Sequence, residues 1–335
     1  MMEKEIWDKA HNRIFELYGD MPDLRIVSRF YSEKQAFMQY EIGKYFYDLA
    51  KLRREAEEAG ERLITKNIAA SCLVAYLLGT TDENPLPAHY YCPKCQTVEW
   101  MEGWCVFDLR DRICACGERM KHDGFDIPFE TYLPYAKKLK TADTVPESYQ
   151  QLFDSILSHF QKSLFDTVAI CKQLEKATGV CMDSIDLNDR EVKRRLLTGD
   201  FEKMAGVGGE KAIKQMISLT CPQTYHELLK LIGLAHGTCT WHHNAEHLLG
   251  DGVCSLSDMP ATRDEVFMII RNAMRDCDYH DTGFAIDVTN KARRGYYLEH
   301  GMDDYTNQTL SMLGLDDWFG SFIRATHYID RKSVV

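Results

Sequence analysis

"CPKCQTVEWMEGWCVFDLRDRICACG", residues 92–117, is the stretch where thiol chemistry rather than hydrophobic patterning sets the local structure. Cys92-Pro-Lys-Cys95 and Cys114-Ala-Cys116-Gly117 are two close cysteine pairs separated by a short insert. Two such pairs bring four thiolates to one tetrahedral point. That suits zinc, which takes sulfur ligands and makes no geometric demand beyond charge and size. Gly117 fits a tight knuckle after the second pair. A site closed by four sulfurs has no open position, so it is structural, and metal binding there adds folding energy to a segment with little core of its own. The second pair is C-x-C, not C-x-x-C, which strains ligation by both thiols. Cys105 in the insert is the substitute ligand. The plainer alternative is a set of reduced, buried cysteines.

Outward from the cysteines, strand signals thin out quickly. "NPLPAHYY", residues 84–91, reads as extended, because each proline disfavours helix in the residue before it. Residues 66–79 form a buried apolar segment. Met38, Ile42, Tyr45, Phe46, Leu49 and Leu52 place a helical stripe over 34–59, with Gly60 as its stop. From 147 onward the pattern is helix after helix. A long stripe runs from Leu152 through Phe160 and Cys171 to Leu174. Thr224–Glu227 and Thr262–Glu265 fit the capping-box pattern ahead of apolar runs. Further helices are expected over 284–299, 303–313 and 316–328. The fold class is mainly α with a small β, zinc-ribbon-like module. The expected boundaries are an N-terminal helical region at 1–83, the zinc module at 84–135, a helical region at 136–300 and C-terminal helices at 301–335.

Composition bounds the function. The chain has 335 residues, 45% hydrophobic and 27% charged, which is ordinary for a globular protein with a real core. The longest apolar run is too short to span a bilayer, and the N-terminus lacks an apolar signal core. A cytoplasmic protein with no membrane partner is expected. The net charge of -11 argues against a chain whose main task is gripping duplex DNA, although a local basic groove is compatible with it. Twelve cysteines in such a chain are not a disulfide framework, and the seven scattered ones read as small core residues.

"NPLPAHYYCPKC", "FDLRDRICACG" and "KHDGFDIPFETYL" together resemble the PolC-type DNA polymerase III α subunit, the replicative polymerase of low-GC Gram-positive bacteria. That family carries a similar Asn-Pro-Leu-Pro segment, a four-cysteine zinc module, and then Asp-Gly-x-Asp-Ile-Pro-Phe-Glu-Thr. "TGVCMDSIDLNDREV" and "CPQTYHELLKLIGLAHGTCTW" with the following Asn-Ala resemble its later stretches, including the fingers. The resemblance covers roughly residues 65–135 and 164–300. It implies a palm remnant within 1–83, a zinc module at 84–135 and a helical fingers-like region at 136–300. In the family, Ile-Pro-Phe-Glu-Thr runs shortly into paired palm aspartates that hold two magnesium ions. Here the chain continues Tyr132-Leu-Pro-Tyr-Ala-Lys-Lys-Leu-Lys-Thr-Ala-Asp143, with no Asp-x-Asp in that stretch. The family's Gly/Ser-rich phosphate-binding segment is "ITKNIAASCL" here, residues 64–73, without glycine, so its backbone cannot approach phosphate as closely. Asp123, Asp126 and Glu130 therefore match the family's scaffold rather than its catalytic acids. The expectation is an inactive, truncated relative with no catalytic residues and no bound magnesium, acting as a replication-related binding or accessory protein. DNA, a replication protein or a second copy of the chain are the candidate partners.

Three other groups carry possible chemistry. Lys291, Arg293 and Arg294 fall where the family has a Lys/Arg-rich fingers segment, and the resemblance implies nucleic-acid or phosphate contact; a solvated helix face is the alternative. His243, Glu246 and His247 have metal-ligand spacing, but without the H-E-x-x-H order. Polar loops or helix starts are the expected reading of "DCDYHD", residues 276–281, and "GVGGE", residues 206–210. Two rival functions follow. One is polymerase activity retained through carboxylates placed elsewhere. The other is a metal-dependent hydrolase built on His242, His243, Glu246 and His247.

Overall fold

The structure is a computed structural model and describes residues 2–60, 71–132, 174–181, 190–198, 200, 210–315 and 317–330. The expected long stripe over 152–174, the "GVGGE" turn and the basic stretch 133–143 lie essentially outside those residues. The chain divides into two compact units, Met1–Leu187 and Asn188–Val335. The described residues are mostly helical, with one small sheet.

The first unit begins with three helices, α1 (Met2–Tyr18), α2 (Leu24–Tyr40) and α3 (Gly43–Glu58). Their inner faces supply an aromatic core. Phe37 packs on Trp7 and Phe46 at centroid distances of 5.9 and 4.5 Å, and on Phe129 at 6.4 Å. The single helix expected over 34–59 is two. Glu41 sits in the left-handed region at φ 54°, its N–H donates to the Met38 carbonyl, and the Ile42 N–H donates to the Phe37 carbonyl. That is a Schellman stop with glutamate in place of the usual glycine. Met38, expected on the inner stripe, is 53% exposed as a result. Gly60 does end α3, at φ 77°. Helix α4 (Leu73–Leu77) follows and is buried, as its apolar run requires.

The sheet is built from two hairpins. β1 (His89–Tyr91) pairs antiparallel with β2 (Val98–Trp100) and with β4 (Arg119–Asp123), and β3 (Arg112–Ile113) pairs with β4. The strand order is β2-β1-β4-β3. Its private core is small: Ala88, Tyr90, Cys92, Leu109 and Met120.

The second unit runs from α5 (Arg190–Leu197) and α6 (Glu210–Thr220) through α7 (Tyr225–His236), α8 (Glu246–Gly250) and α9 (Arg263–Asp276) to α10 (Thr282–Arg293), α11 (Tyr296–His300), α12 (Asp304–Met312) and α13 (Trp318–Ala325). Both expected capping boxes are present. Thr224 and Thr262 each accept the backbone N–H of a glutamate three residues on, and Glu227 and Glu265 each reach back to the cap amide. Leu231, Leu234, Phe267, Ile270, Val288, Phe322 and Ile323 share its core. The helix expected over 284–299 is broken at Gly295. This glycine has φ 69°, and a Cβ there would meet the His327 carbonyl oxygen at 2.5 Å, so the chain must turn where only glycine fits. The last expected helix ends at Ala325, and Thr238 then pairs with Tyr328 as an isolated bridge.

Candidate metal centre

The two hairpins of the sheet turn over the two cysteine pairs. In the first, the Cys92 N–H donates to the Thr97 carbonyl and the Gln96 N–H donates to the Cys92 carbonyl, with Gln96 at φ 58°. In the second, the Cys114 N–H donates to the Glu118 carbonyl, and the Gly117 N–H donates to the Cys114 carbonyl. Gly117 has φ 85° with open space around its Cβ position, so backbone conformation alone selects glycine there.

The central strands β1 and β4 lie side by side, so the two knuckles converge. The sulfur atoms of Cys92, Cys95, Cys114 and Cys116 all lie within 4.8 Å of one another. Cys92 Sγ is 3.5 Å from Cys116 Sγ, and Cys95 Sγ is 3.3 Å from Cys114 Sγ. A tetrahedral metal with sulfur at about 2.3 Å gives ligand–ligand edges of about 3.8 Å, so sulfurs at these separations suit such an ion. The C-x-C spacing is accommodated because the knuckle turns at Gly117. Cys105 is not among the clustered sulfurs. The Cys95 backbone N–H also donates to Cys92 Sγ at 3.4 Å, an amide-to-sulfur bond that stabilises thiolate.

The thiols influence one another strongly. The Thr97 hydroxyl and then its backbone pull Cys95 down to about 6. Cys116 is drawn down by the Glu118 backbone, but desolvation and the three neighbouring sulfurs push it up to about 11. Four sulfurs this close cannot all ionise unaided, and a dication removes the conflict. Among the described residues, this is the only group of three or more ligating side chains so close together.

Behind the knuckles, β1 and β4 carry a polar network. Asp123 Oδ2 accepts from Asn84 Nδ2 at 3.0 Å and from the Tyr76 hydroxyl at 2.9 Å. Asp123 Oδ1 accepts from the Gly124 N–H at 2.8 Å. Asn84 Nδ2 also donates to the Tyr18 hydroxyl at 2.9 Å. The buried His89 lies with Nε2 3.4 Å from that hydroxyl and Nδ1 2.8 Å from the Pro87 carbonyl. Burial pushes Tyr18 and Tyr76 far above the usual phenol range and lowers His89. Asp123 thus ties the cysteine module to α1 and α4. Asp126 is held through its backbone, donating to the Leu86 carbonyl at φ 49°. Glu130 Oε2 is buried with no hydrogen-bond partner. One anchor was not visible in the sequence. Glu33, fully buried on α2, pairs with Arg29 and accepts the backbone amides of Leu73 and Val74 at the start of α4. No local motif announces it, because the amides it accepts lie about forty residues away.

The remaining candidates are dispersed or already engaged. Lys291 is paired with Asp287 at 2.7 Å and lies 3.8 Å from Asp303. Arg293 is half-buried with its guanidinium over Tyr328, and Arg294 is exposed. His243 and His247 stack at 5.8 Å, and His242 Nδ1 is 3.3 Å from Glu246 Oε2, but no three of these groups meet as ligands. His243 takes φ 57° in a kinked turn held by Asn244, whose Nδ2 donates to the Cys239 and Phe322 carbonyls. Asp276 and Asp278 are exposed at the end of α9, paired with Arg275 and His280, as expected of a polar loop.

No protein-family model matches the chain. It is similar to the protein called DNA polymerase III PolC-type from Caldanaerobacter subterraneus, with 23% identity over 97% of this chain and 31% of the relative. The same-named proteins of Streptococcus thermophilus and Bacillus subtilis match at 21% and 23% identity over 95% and 80% of the chain. The chain is a divergent PolC-like relative and spans about 30% of the length of these proteins. The first alignment runs over 450 residues against a chain of 335, so more than a hundred positions of the relative have no counterpart here. No helix among the described residues is long and apolar enough to cross a membrane.

Proposed function

We propose that this chain is a catalytically inactive relative of PolC-type DNA polymerase III that acts in the cytoplasm as a replication-related binding or accessory protein. DNA or a replication protein is its partner. Residues 1–83 include the palm remnant, 84–135 are the zinc module, 136–300 are the fingers-like region, 301–335 are C-terminal helices, and zinc at Cys92, Cys95, Cys114 and Cys116 holds the module in shape.

One observation carries this reading. The similarity extends over nearly the whole chain, yet the sequence that follows Ile127-Pro-Phe-Glu-Thr131 turns basic instead of supplying paired aspartates. Phosphoryl transfer rests on metal-held positioning and charge neutralisation, so a chain without that carboxylate pair has little left to catalyse with. Glu33 supports the same reading. Its buried carboxylate already takes the Leu73 and Val74 amides where the glycine-less segment 64–73 runs into α4. A four-sulfur cage favours zinc among biological dications and leaves no position for substrate.

The test is extension of a labelled primed template with magnesium and all four nucleotides, alongside fluorescence anisotropy on the same DNA. No extension together with saturable, salt-sensitive binding of DNA or of a replication protein is expected. Measurable extension by the purified chain refutes the proposal.

A further inference from the structure

The cysteine centre and the turn between α1 and α2 meet at Gln96, the residue after Cys95 at the tip of the first knuckle. Gln96 is left-handed, at φ 58°, and its N–H donates to the Cys92 carbonyl at 2.8 Å. Outside glycine that conformation carries a cost. Ligation of Cys92 and Cys95 by one ion closes the turn that imposes it. The side chain so turned leaves the module. Its Nε2 donates to the Phe15 carbonyl at 3.2 Å and to the Glu16 carbonyl at 3.3 Å. Both carbonyls belong to the last turn of α1, where the helix itself offers few partners. Gly19, just beyond that helix, lies against the same side chain. It has φ 82°, and a Cβ there would meet Gln96 Oε1 at 2.8 Å and Gln96 Cβ at 3.0 Å.

Strand β2, which leaves the same knuckle, holds the other side of the turn. Trp100 Nε1 donates to Asp23 Oδ2 at 2.9 Å. Asp23 is the N-cap of α2, and its Oδ1 accepts the Arg25 N–H at 2.8 Å. The Arg25 guanidinium lies 5.3 Å from the centre of the Trp100 ring and pairs with Glu102 at 2.7 Å. The groups that close the end of α1 and the start of α2 thus come from the segment directly after Cys95. We propose that metal occupancy at the four cysteines is thermodynamically linked to the order of the α1–α2 turn, with Gln96 as the positioning residue between them. The ion fixes the knuckle, the knuckle aims Gln96 and Trp100, and these two hold the facing helix ends. Linkage is reciprocal, so a change that loosens the turn also weakens metal binding. The inference rests on the zinc assignment made above and not on the replication role.

Two measurements on the full chain test it. In hydrogen exchange, stripping zinc with a chelator should speed exchange of the amides from Gly19 to Val27 at least ~10-fold, while α9 in the second unit keeps its protection. In the reverse direction, zinc affinity is read by competition with a chromophoric chelator. Gly19→Ala and Gly60→Ala put a comparable strain on two positive-φ glycines that follow helices, but only the first meets Gln96, and nothing lies within 4 Å of the second. Gly19→Ala should weaken zinc binding at least ~5-fold, and Gly60→Ala by less than ~2-fold. Gln96→Glu keeps the size of the side chain but sets an acceptor against two carbonyls, and should also weaken zinc binding at least ~5-fold. Zinc affinity unmoved by Gly19→Ala and Gln96→Glu, or equally weakened by Gly60→Ala, overturns the linkage and leaves the zinc assignment standing. So does protection of the turn that is indifferent to zinc removal. A chain that takes up no zinc overturns both.

Discussion

Replacing Asp123 by alanine distinguishes a scaffold carboxylate from a catalytic one by the sign of the stability change. Its oxygens accept three hydrogen bonds, from Asn84, Tyr76 and the Gly124 amide, at 2.8–3.0 Å. Each bond to a charged acceptor contributes ~1.5–3 kcal/mol net. The three do not add fully, because Asn84 keeps its bond to Tyr18. A loss of about 3–5 kcal/mol is expected. The backbone cannot relax to recover it, since a Cβ on Gly124 would already lie 2.3 Å from the Pro87 carbonyl oxygen and the strand end is tightly packed. Acids gathered to hold magnesium behave oppositely: they repel one another when the metal is absent, and their removal stabilises the fold. Urea unfolding followed by far-UV circular dichroism measures the change. Asp126→Asn is the control, because asparagine tolerates the left-handed conformation of Asp126 and leaves its backbone bond in place. It should shift stability by less than ~0.5 kcal/mol. Combining Asp123→Ala with Tyr76→Phe should give a coupling of about 1–2 kcal/mol. An Asp123→Ala chain within ~1 kcal/mol of the parent, or more stable than it, would refute the scaffold assignment.

Two further outcomes are expected. Elemental analysis of the purified chain should find about one zinc per chain; Cys92→Ser should lose it with partial loss of ordered structure, and His243→Ala should retain it. Burial lowers the folded-state pKa of His89 below its unfolded value of 6.5, so the unfolded chain takes up the proton first on acidification. The stability that His89 contributes is therefore complete above pH 6.5 and is lost as the pH falls from there through the folded pKa. His89→Gln should flatten that part of the profile in urea melts at stepped pH, and a profile unchanged by the substitution would contradict the assignment.

What the sequence revealed and what it concealed follow from the range of the interactions involved. The knuckles, the capping boxes and the stop at Gly60 are contacts between residues at most a few positions apart, and a local pattern carries them. The break at Glu41 is equally local but uses glutamate in a conformation that glycine usually takes, so no residue type signals it. A hydrophobic stripe read across that break put Met38 inside, when the turn rotates it outward. Similarly, Gly295 looks like any glycine until His327, thirty residues later, crowds its Cβ position.

The acid-rich stretch after the cysteines shows why residue type alone does not settle a role. Asp123, Asp126 and Glu130 look equivalent in sequence. In the structure one is a three-fold acceptor, one is held by its backbone, and one has a buried oxygen without a partner. The difference comes from what faces them: Asn84 and Tyr76 reach Asp123 from segments about forty residues away. Glu33 makes the complementary point. Within α2 it reads as one more helix glutamate, yet it is the carboxylate that fills the start of α4. The proposed function thus turns on where acidic side chains are already satisfied. Asp123 is committed to holding the ribbon against the helices, and Glu33 to capping the amides at the start of α4. A site for triphosphate chemistry requires the reverse, unpaired carboxylates and open amides, and that physical contrast is the ground for reading this PolC-like chain as a binder.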